Sequence, residues 1–396
     1  MLVVPKVRGF ICVTAHPEGC AANVEEQIAV VEKNGVILNA PKRVLVLGSS
    51  TGYGLASRIT AAFGGRAATI GVAFEKAPEA ERCASAGWYN TAAFESTAKK
   101  QGLYARSFNG DAFSDAMKAA VLEAIKQDLG QIDALVYSLA SPRRTHPKTG
   151  EQFKSVLKPI GASFTAKSLD TDRKQVIEVN LPPAAEEDIR QTVAVMGGED
   201  WELWIKALKQ ENLLAKNFST FSYSYIGPEV TWPIYKDGTI GRAKQDLERA
   251  CGAINRGISG LNGKAYVSVN KAIVSQASSA IPVVPLYLGI LMQVMKEAGN
   301  HEGAIEQIDR LWRDHASGKM LMDQDARVRI DNYEMEPRIQ EQVKKLWPVV
   351  TTGNIDLYTD FKGYQAEFLK LFGFGLNGVD YTKETNPLVS IPSLTT

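Results

Sequence analysis

Three glycines stand in the run Gly48-Ser49-Ser50-Thr51-Gly52-Tyr53-Gly54, directly after the apolar run Arg43-Val44-Leu45-Val46-Leu47. A chain that turns sharply from a strand into a helix needs glycine where backbone approaches a pyrophosphate. The N–H groups and the dipole at the start of that helix then favour an anion. The spacing is Gly-x-x-x-Gly-x-Gly rather than Gly-x-Gly-x-x-Gly, and no Gly-Lys-Ser/Thr ends it, which argues against an NTP-hydrolysing P-loop. A second strand candidate, Ala68–Phe74, runs into Glu75, 21 residues past Gly54. A carboxylate there accepts from the hydroxyls of an adenosine ribose and repels a 2′-phosphate, so Glu75 predicts NADH over NADPH, with Lys76 beside it softening the preference. Asp111-Ala112 ends a later segment, where a side chain can bracket the adenine. Ser138-Leu139-Ala140 ends the strand candidate Asp133–Ser138, at the edge where parallel sheets bind ligands. Without a ligand the same residues make a tight strand-to-helix turn and a solvated carboxylate.

A tyrosine and a lysine supply the second chemistry. Short-chain dehydrogenases pair a catalytic tyrosine with a lysine one helical turn on, and no convincing Tyr-x-x-x-Lys occurs in this chain. Instead Lys244 lies nine positions beyond Tyr235, ~13.5 Å apart along a straight helix and too far to cooperate. Gly238 breaks that run and Thr239 reads as an N-cap. Tyr235 then sits on a loop before the helix and Lys244 in its second turn, and a loop folded back brings both to the nicotinamide ribose. A free phenol, with a pKa of about 10, is a modest acid at neutral pH. A nearby ammonium sharpens it as a donor. Taken without the glycine loop, the two residues read as a surface tyrosine and a surface lysine.

Elements that can position these residues alternate along the first half. Arg43–Leu47 is a strand, about Gly54 to Phe63 a helix, and Ala68–Phe74 a strand. Ser114–Leu129 is a helix with Ser114 as its N-cap. Asp133–Ser138 is again a strand. Further on, Ser219–Ile226 and Ala265–Val269 read as strands, Ile240–Arg256 as a helix, and the last hundred residues as mainly helical. Strand, helix, strand at this spacing predicts an α/β fold, a doubly wound parallel sheet with right-handed crossovers. Ser141–Gly150 reads as a surface loop, and no linker divides the 396 residues. A single enlarged domain over 1–396 is expected, with the cofactor cradle mainly in 43–145, the substrate and catalytic part in 146–300 and a helical part in 300–396. Lysine plus arginine is 45 against 44 acidic residues, a net charge of +1 that argues against nucleic-acid or anionic-membrane binding. The four cysteines form no C-x-x-C pair, so no metal site is expected. No signal peptide or membrane span is read, and a cytoplasmic protein is expected.

Longer stretches carry a family resemblance. They include Val7-Arg8-Gly9-Phe10-Ile11-Cys12 with Ala15-His16-Pro17, Gly48 through Leu55, Gly87-Trp88-Tyr89-Asn90, and Gly110-Asp111-Ala112-Phe113-Ser114. Tyr137 to Pro142, Val195 to Trp201, Gln276 to Pro282 and Gly373-Phe374-Gly375 belong with them. With the Tyr-x8-Lys spacing, the chain resembles the trans-2-enoyl-CoA reductases and the related V-type (FabV) enoyl-ACP reductases over almost its whole length. The resemblance implies an enlarged Rossmann-type, short-chain-dehydrogenase-like fold with extra covering helices and loops, usually monomeric. It implies NADH-dependent reduction of trans-2-enoyl-CoA or enoyl-acyl carrier protein to the saturated thioester in fatty acid biosynthesis. Carried over by position, Tyr235 is the proton donor, Tyr225 a second tyrosine that contacts substrate, and Lys244 a cofactor contact. Gly48, Ser49, Ser50, Thr51, Gly52, Tyr53, Phe74, Glu75, Asp111, Ala112, Leu139, Ala140, Ile273, Val274 and Ser275 form the implied NADH cradle.

Two positions depart from the family pattern: Gln245 stands where a second lysine is common, and Ser275 where a threonine is usual. Two other functions are weighed. A 3-oxoacyl-thioester carbonyl reductase is disfavoured by the Tyr-x8-Lys spacing, and a non-enzymatic NADH sensor by the presence of a proton donor. His16 reads as structural, His146 as part of a solvated basic loop, and Trp201 and Trp204 as packing residues. Most of Ile281–Met295 reads as core.

Overall fold

Aliphatic and β-branched runs form the strands, and their side chains alternate between two cores. The computed structural model describes residues 1–139 and 141–394. Seven strands make one sheet: β1 (Arg43–Leu47), β2 (Ala68–Ala73), β3 (Ala105–Asn109), β4 (Ile132–Tyr137), β5 (Leu214–Ser224), β6 (Lys264–Val269) and β7 (Val328–Arg329). Their order is β7-β6-β5-β4-β1-β2-β3, and every pairing is parallel. Leu47 pairs with Val72 on one side and Tyr137 on the other, and Tyr137 with Ser222. The strands therefore end in one row, and their following loops share one edge. Strand order reverses between β1 and β4, so those loops part and leave a crevice there.

Helices cover both faces. On one, Val44 and Val46 of β1 pack with Val24 and Ile28 of α1 (Pro17–Lys33), Leu55 and Ile59 of α2 (Gly52–Ile59), and Phe94 of α3 (Ala86–Lys100). On the other, Leu45 and Leu47 pack with Val121 of α4 (Asp115–Ala124), Trp201 and Trp204 of α6 (Glu199–Gln210), and Leu247 of α7 (Thr239–Ile258). Helix α5 (Glu186–Met196) lies against α7. A third core, formed by segments that follow the strand ends, includes Tyr235, Val274, most of α9 (Val284–Glu297), Tyr364 and Phe368. Between β6 and α9 lies the short α8 (Gln276–Ser279), and α10 (Ala304–Ser317) packs on α2. Among the described residues no helix is long and apolar enough to cross a membrane.

The expected strands and helices appear with shifted ends. Ser114 caps α4, its Oγ accepting from the Met117 N–H at 3.1 Å, but the α-helix stops at Ala124 and Ile125–Leu129 widen into a π-turn. Thr239 is not the cap of α7. Gly238 holds that place, and the Thr239 hydroxyl donates to the Val156 carbonyl at 2.5 Å. The stretch read as the surface loop 141–150 contains strand Arg143–Thr145, paired with Gln152–Lys154. Strands β3 and β7 and the hairpin of Phe164–Asp170 with Gln175–Leu181 were not expected. They are short or polar, and only their neighbours make them strands.

Candidate active site

The glycine turn lies between the ends of β1 and β4. Gly48 has φ +80°, and a Cβ there would sit 2.0 Å from the Ser138 carbonyl oxygen. A Cβ on Gly54 would sit 1.9 Å from the Gly48 carbonyl oxygen, so the loop closes on itself only with glycines at both places. At Gly52, φ +52°, nothing lies within 4 Å of the added atom. That open side is the start of α2, whose N-cap Thr51 makes no side-chain capping bond, so its first N–H groups remain for an anion. Ser49 and Ser50 are buried beside it. The Tyr53 side chain turns inward, its hydroxyl donating to the Lys271 carbonyl at 2.5 Å.

Glu75 follows β2 and is fixed on several sides. Ser50 Oγ and Ser85 Oγ donate to its two carboxylate oxygens at 2.6 and 2.5 Å. The Asn109 side chain clamps its backbone, accepting from the N–H at 2.7 Å and donating to the carbonyl at 3.0 Å. Gly87 in α3 leaves room for it, because a Cβ there would come within 2.2 Å of Glu75 Oε1. Phe74 is 78% exposed, leaving a ring free at the strand end. Asp111 Oδ1 accepts from the Phe113 N–H at 2.9 Å, and the carbonyl of buried Ala112 takes the Trp204 indole N–H at 3.1 Å. Leu139 follows β4, half-buried; Ala140 lies outside the described residues. These groups fit an adenine dinucleotide: an uncapped helix start for the pyrophosphate and a fixed carboxylate for the ribose.

Tyr235 and Lys244 lie on the β5 side of the crevice, before and within α7, with different partners: Tyr225 for the tyrosine ring and the Tyr223 carbonyl for the lysine. Tyr235 lies in turns before α7, its N–H donating to the Thr231 carbonyl at 3.0 Å. The loop folds back on the helix because residue 241 is glycine: a Cβ there would be 1.9 Å from the Lys236 carbonyl oxygen and 2.6 Å from that of Tyr235. Its ring meets Tyr225 edge to face, centroids 4.7 Å apart. The Tyr235 hydroxyl has no hydrogen-bond partner among the described residues. Burial, then the Glu334 charge, raise its pKa. Lys244 Nζ donates to the Tyr223 carbonyl at 3.1 Å, and burial lowers its pKa to about 8. The segment after β6 holds Ile273, Val274 and Ser275. Ser275 caps α8, its Oγ accepting from the Ser278 N–H at 3.0 Å.

Sequence reasoning missed Glu334, Tyr287 and Lys271. Glu334 is fully buried and takes the hydroxyls of Tyr225 and Tyr287 at 2.9 and 2.6 Å. Tyr287 sits in the apolar run read as core, and Glu334 in a polar run that reads as solvated, so neither carried a local signal. Trp201 and Trp204 are buried packing residues. His16 caps α1, its Nδ1 accepting from the Gly19 N–H at 3.2 Å. His146 Nδ1 accepts from the Lys148 and Thr149 N–H groups within its own turn.

Comparison with known proteins places this arrangement. The catalytic region of trans-2-enoyl-CoA reductase matches residues 82–316, and the NAD(P)H binding domain of the same enzyme matches 2–80. The chain belongs to the trans-2-enoyl-CoA reductase family. A similar relative, enoyl-[acyl-carrier-protein] reductase [NADH] of Opitutus terrae, is 58% identical over 98% of this chain and 99% of its own. Enoyl-[acyl-carrier-protein] reductase [NADH] FabV of Aeromonas salmonicida is 54% identical over 98% of both chains. Among solved structures, trans-2-enoyl-CoA reductase of Treponema denticola in complex with NAD superposes with a TM-score of 0.95 at 49% identity, covering 99% of this chain and 100% of that one. The Clostridium acetobutulicum reductase in complex with NADH gives 0.95 at 42%, covering 98% of each.

A third match in this reductase, over 322–385, is described as an enoyl reductase FAD binding domain. The residues do not fit that group. The segment holds β7, α11 (Pro337–Val349) and a helix Phe361–Lys370. Glu336 stands at the start of α11, and Asp360 caps the other helix by accepting from the Gly363 N–H at 2.9 Å. A pyrophosphate would meet a carboxylate at either helix start. What the segment sends toward the tyrosines is Glu334.

Proposed function

We infer that the protein is an NADH-dependent oxidoreductase that reduces the C2=C3 double bond of trans-2-enoyl thioesters in fatty acid biosynthesis. When bound, NADH supplies the hydride that adds to C3. Negative charge then moves to the thioester oxygen, and a donor aimed at that oxygen stabilises the transition state more than the ground state. Tyr235 is that donor. The observation that carries this reading is its hydroxyl, free of any partner among the described residues, on a buried ring packed against Tyr225. Lys244, held on the Tyr223 carbonyl, places a positive charge at the nicotinamide end. Gly48 to Tyr53, Phe74, Glu75, Asp111, Ala112, Leu139 and Ile273 to Ser275 hold the dinucleotide. Glu75 selects NADH, because a 2′-phosphate would face its carboxylate.

The relatives are named for acyl-carrier-protein substrates and the solved structures for CoA substrates. Both carriers are proposed for this chain. The test is loss of NADH absorbance with crotonyl-CoA, with an enoyl-ACP, with acetoacetyl-CoA and with neither, beside NADPH. Turnover with the two enoyl thioesters and not with acetoacetyl-CoA is expected. Turnover with acetoacetyl-CoA alone overturns the reading in favour of a carbonyl reductase.

A further inference from the structure

Tyr225 has one proton to give, and the structure commits it. Its hydroxyl donates to Glu334 Oε1 at 2.9 Å. The same oxygen takes the Tyr287 hydroxyl at 2.6 Å, and Oε2 takes the Ala272 N–H at 2.7 Å. An ionised carboxylate can only accept, so the Tyr225 proton points at Glu334 and not at a substrate. In this state Tyr225 cannot support Tyr235 as a second donor.

We propose that Glu334 is a positioning residue that sets the direction of the Tyr225 proton: ionised, it holds the Tyr225 O–H, and as a carboxylic acid it donates to the Tyr225 oxygen and frees that O–H for the thioester oxygen. This rests on the enoyl-thioester reading above. The exchange takes up one proton. The Tyr225 O–H bond breaks as its proton passes to Oε1, and a new O–H bond forms on Glu334. The Tyr225 oxygen receives the one proton taken up from bulk solvent, so the phenol is again neutral and Glu334 is the carboxylic acid. Oε2 keeps the Ala272 N–H and Oε1 keeps the Tyr287 O–H throughout.

The surroundings suit the exchange. Glu334 faces Tyr225 from the end of β5, Tyr287 from α9, and Tyr235 and Tyr53 through space. Lys271 faces it from the segment after β6. That ammonium is buried, donates to the Ala272 carbonyl at 2.8 Å, and itself faces Glu367, Glu302 and Glu306. Burial raises the Glu334 carboxyl above the usual range against the pull of Tyr287, Lys271 and the Ala272 N–H. Proton uptake is therefore easier than at a surface glutamate.

The experiment is the pH dependence of kcat for NADH oxidation with crotonyl-CoA, in the wild type and in Glu334→Gln, together with an infrared titration of the protonated carboxyl band. In the variant the Ala272 N–H holds the amide oxygen, so an amide N–H faces the Tyr225 oxygen and mimics the acid toward Tyr225 at every pH. Wild-type kcat is expected to fall tenfold per pH unit above the Glu334 ionisation. Glu334→Gln should be flat through that range and lack the band that titrates there. The further fall above about pH 8 that belongs to Lys244 remains in both. Tyr287→Phe removes one donor to the ionised form and should move the limb upward by about one pH unit. An unchanged limb in Glu334→Gln, or no carboxyl band titrating with it in the wild type, overturns the proposal. A wild type that shows the band but oxidises no NADH with crotonyl-CoA overturns the substrate reading, and the proton exchange stands.

Discussion

The rings of Tyr225 and Tyr235 meet edge to face, centroids 4.7 Å apart and planes at 76°. The contact joins the end of β5 to the loop before α7, and it leaves the two hydroxyls in different states. That of Tyr225 is bound to Glu334 at 2.9 Å, and that of Tyr235 is free among the described residues. A hydroxyl with no protein partner among the described residues, on a ring that is itself packed and fixed, suits a donor held ready for a developing oxyanion.

Tyr235→Phe tests this directly. Removing one such donor should lower kcat by about 10²–10³-fold, with the KM for NADH within threefold of the wild type, because the ring and its packing remain. Steady-state NADH oxidation with crotonyl-CoA reads both values. Undiminished turnover would reassign the donor.

Lys244 gives the activity an alkaline limb. Burial lowers its pKa to about 8, so it is an ammonium below that pH and neutral above it. A neutral amine no longer attracts the phosphate-bearing cofactor. The sign is thus a fall in kcat/KM as pH rises through about 8. Lys244→Arg keeps its charge there and should move the limb above pH 9. A limb that stays in place in this variant belongs to another group.

Gly87→Ala should act chiefly on cofactor binding. The new methyl would lie 2.2 Å from Glu75 Oε1 and push the carboxylate off its Ser50 and Ser85 hydroxyls. The methyl would also lie 2.8 Å from the Ser50 Cβ, so the melting temperature should fall by a few degrees while the fold is kept. The KM for NADH should rise about tenfold, a loss of ~1.4 kcal/mol. A variant with wild-type KM would show that Glu75 does not touch the ribose.

Gly48→Ala should be more severe. Its positive φ of +80° costs an L-residue on the order of 1–2 kcal/mol. The methyl would also lie 2.0 Å from backbone, the Ser138 carbonyl oxygen, which cannot rotate away. Loss of NADH binding by fluorescence titration, with a melting temperature lowered by several degrees, is expected.

Ser275→Thr keeps the cap on α8, since threonine also accepts at an N-cap, and adds one methyl beside Ile273 and Val274. The acyl chain-length profile should shift toward shorter substrates. Identical profiles from crotonyl to dodecenoyl thioesters would remove Ser275 as a specificity determinant.

Much of the cofactor side was legible in the chain because its causes are local. The Gly48 turn, the strand before it, the helix after it and Glu75 at the next strand end lie within 33 residues, Arg43 to Glu75. Backbone sterics at glycine and side-chain alternation along a strand act between near neighbours, so sequence alone determines them. Lys244 and Tyr235 were legible as types, while the fold of the loop onto the helix at Gly241 came only with the structure.

The remainder depended on partners far along the chain. Strand β7 has two residues and no signal of its own, and its pairing with β6, 59 or more positions back, makes it a strand. The Thr239 hydroxyl left its capping role for the Val156 carbonyl, 83 positions away. Glu334 lies 109 positions from Tyr225, and nothing in its polar neighbourhood distinguishes it from a solvated carboxylate. Sequence by itself set the glycine turn and the strand-end carboxylate proposed to hold the dinucleotide, and singled out the tyrosine proposed to give a proton. The tertiary structure decided which carboxylate would be buried beside the tyrosines, because burial and the hydrogen bonds that compensate it exist only once distant segments have packed together.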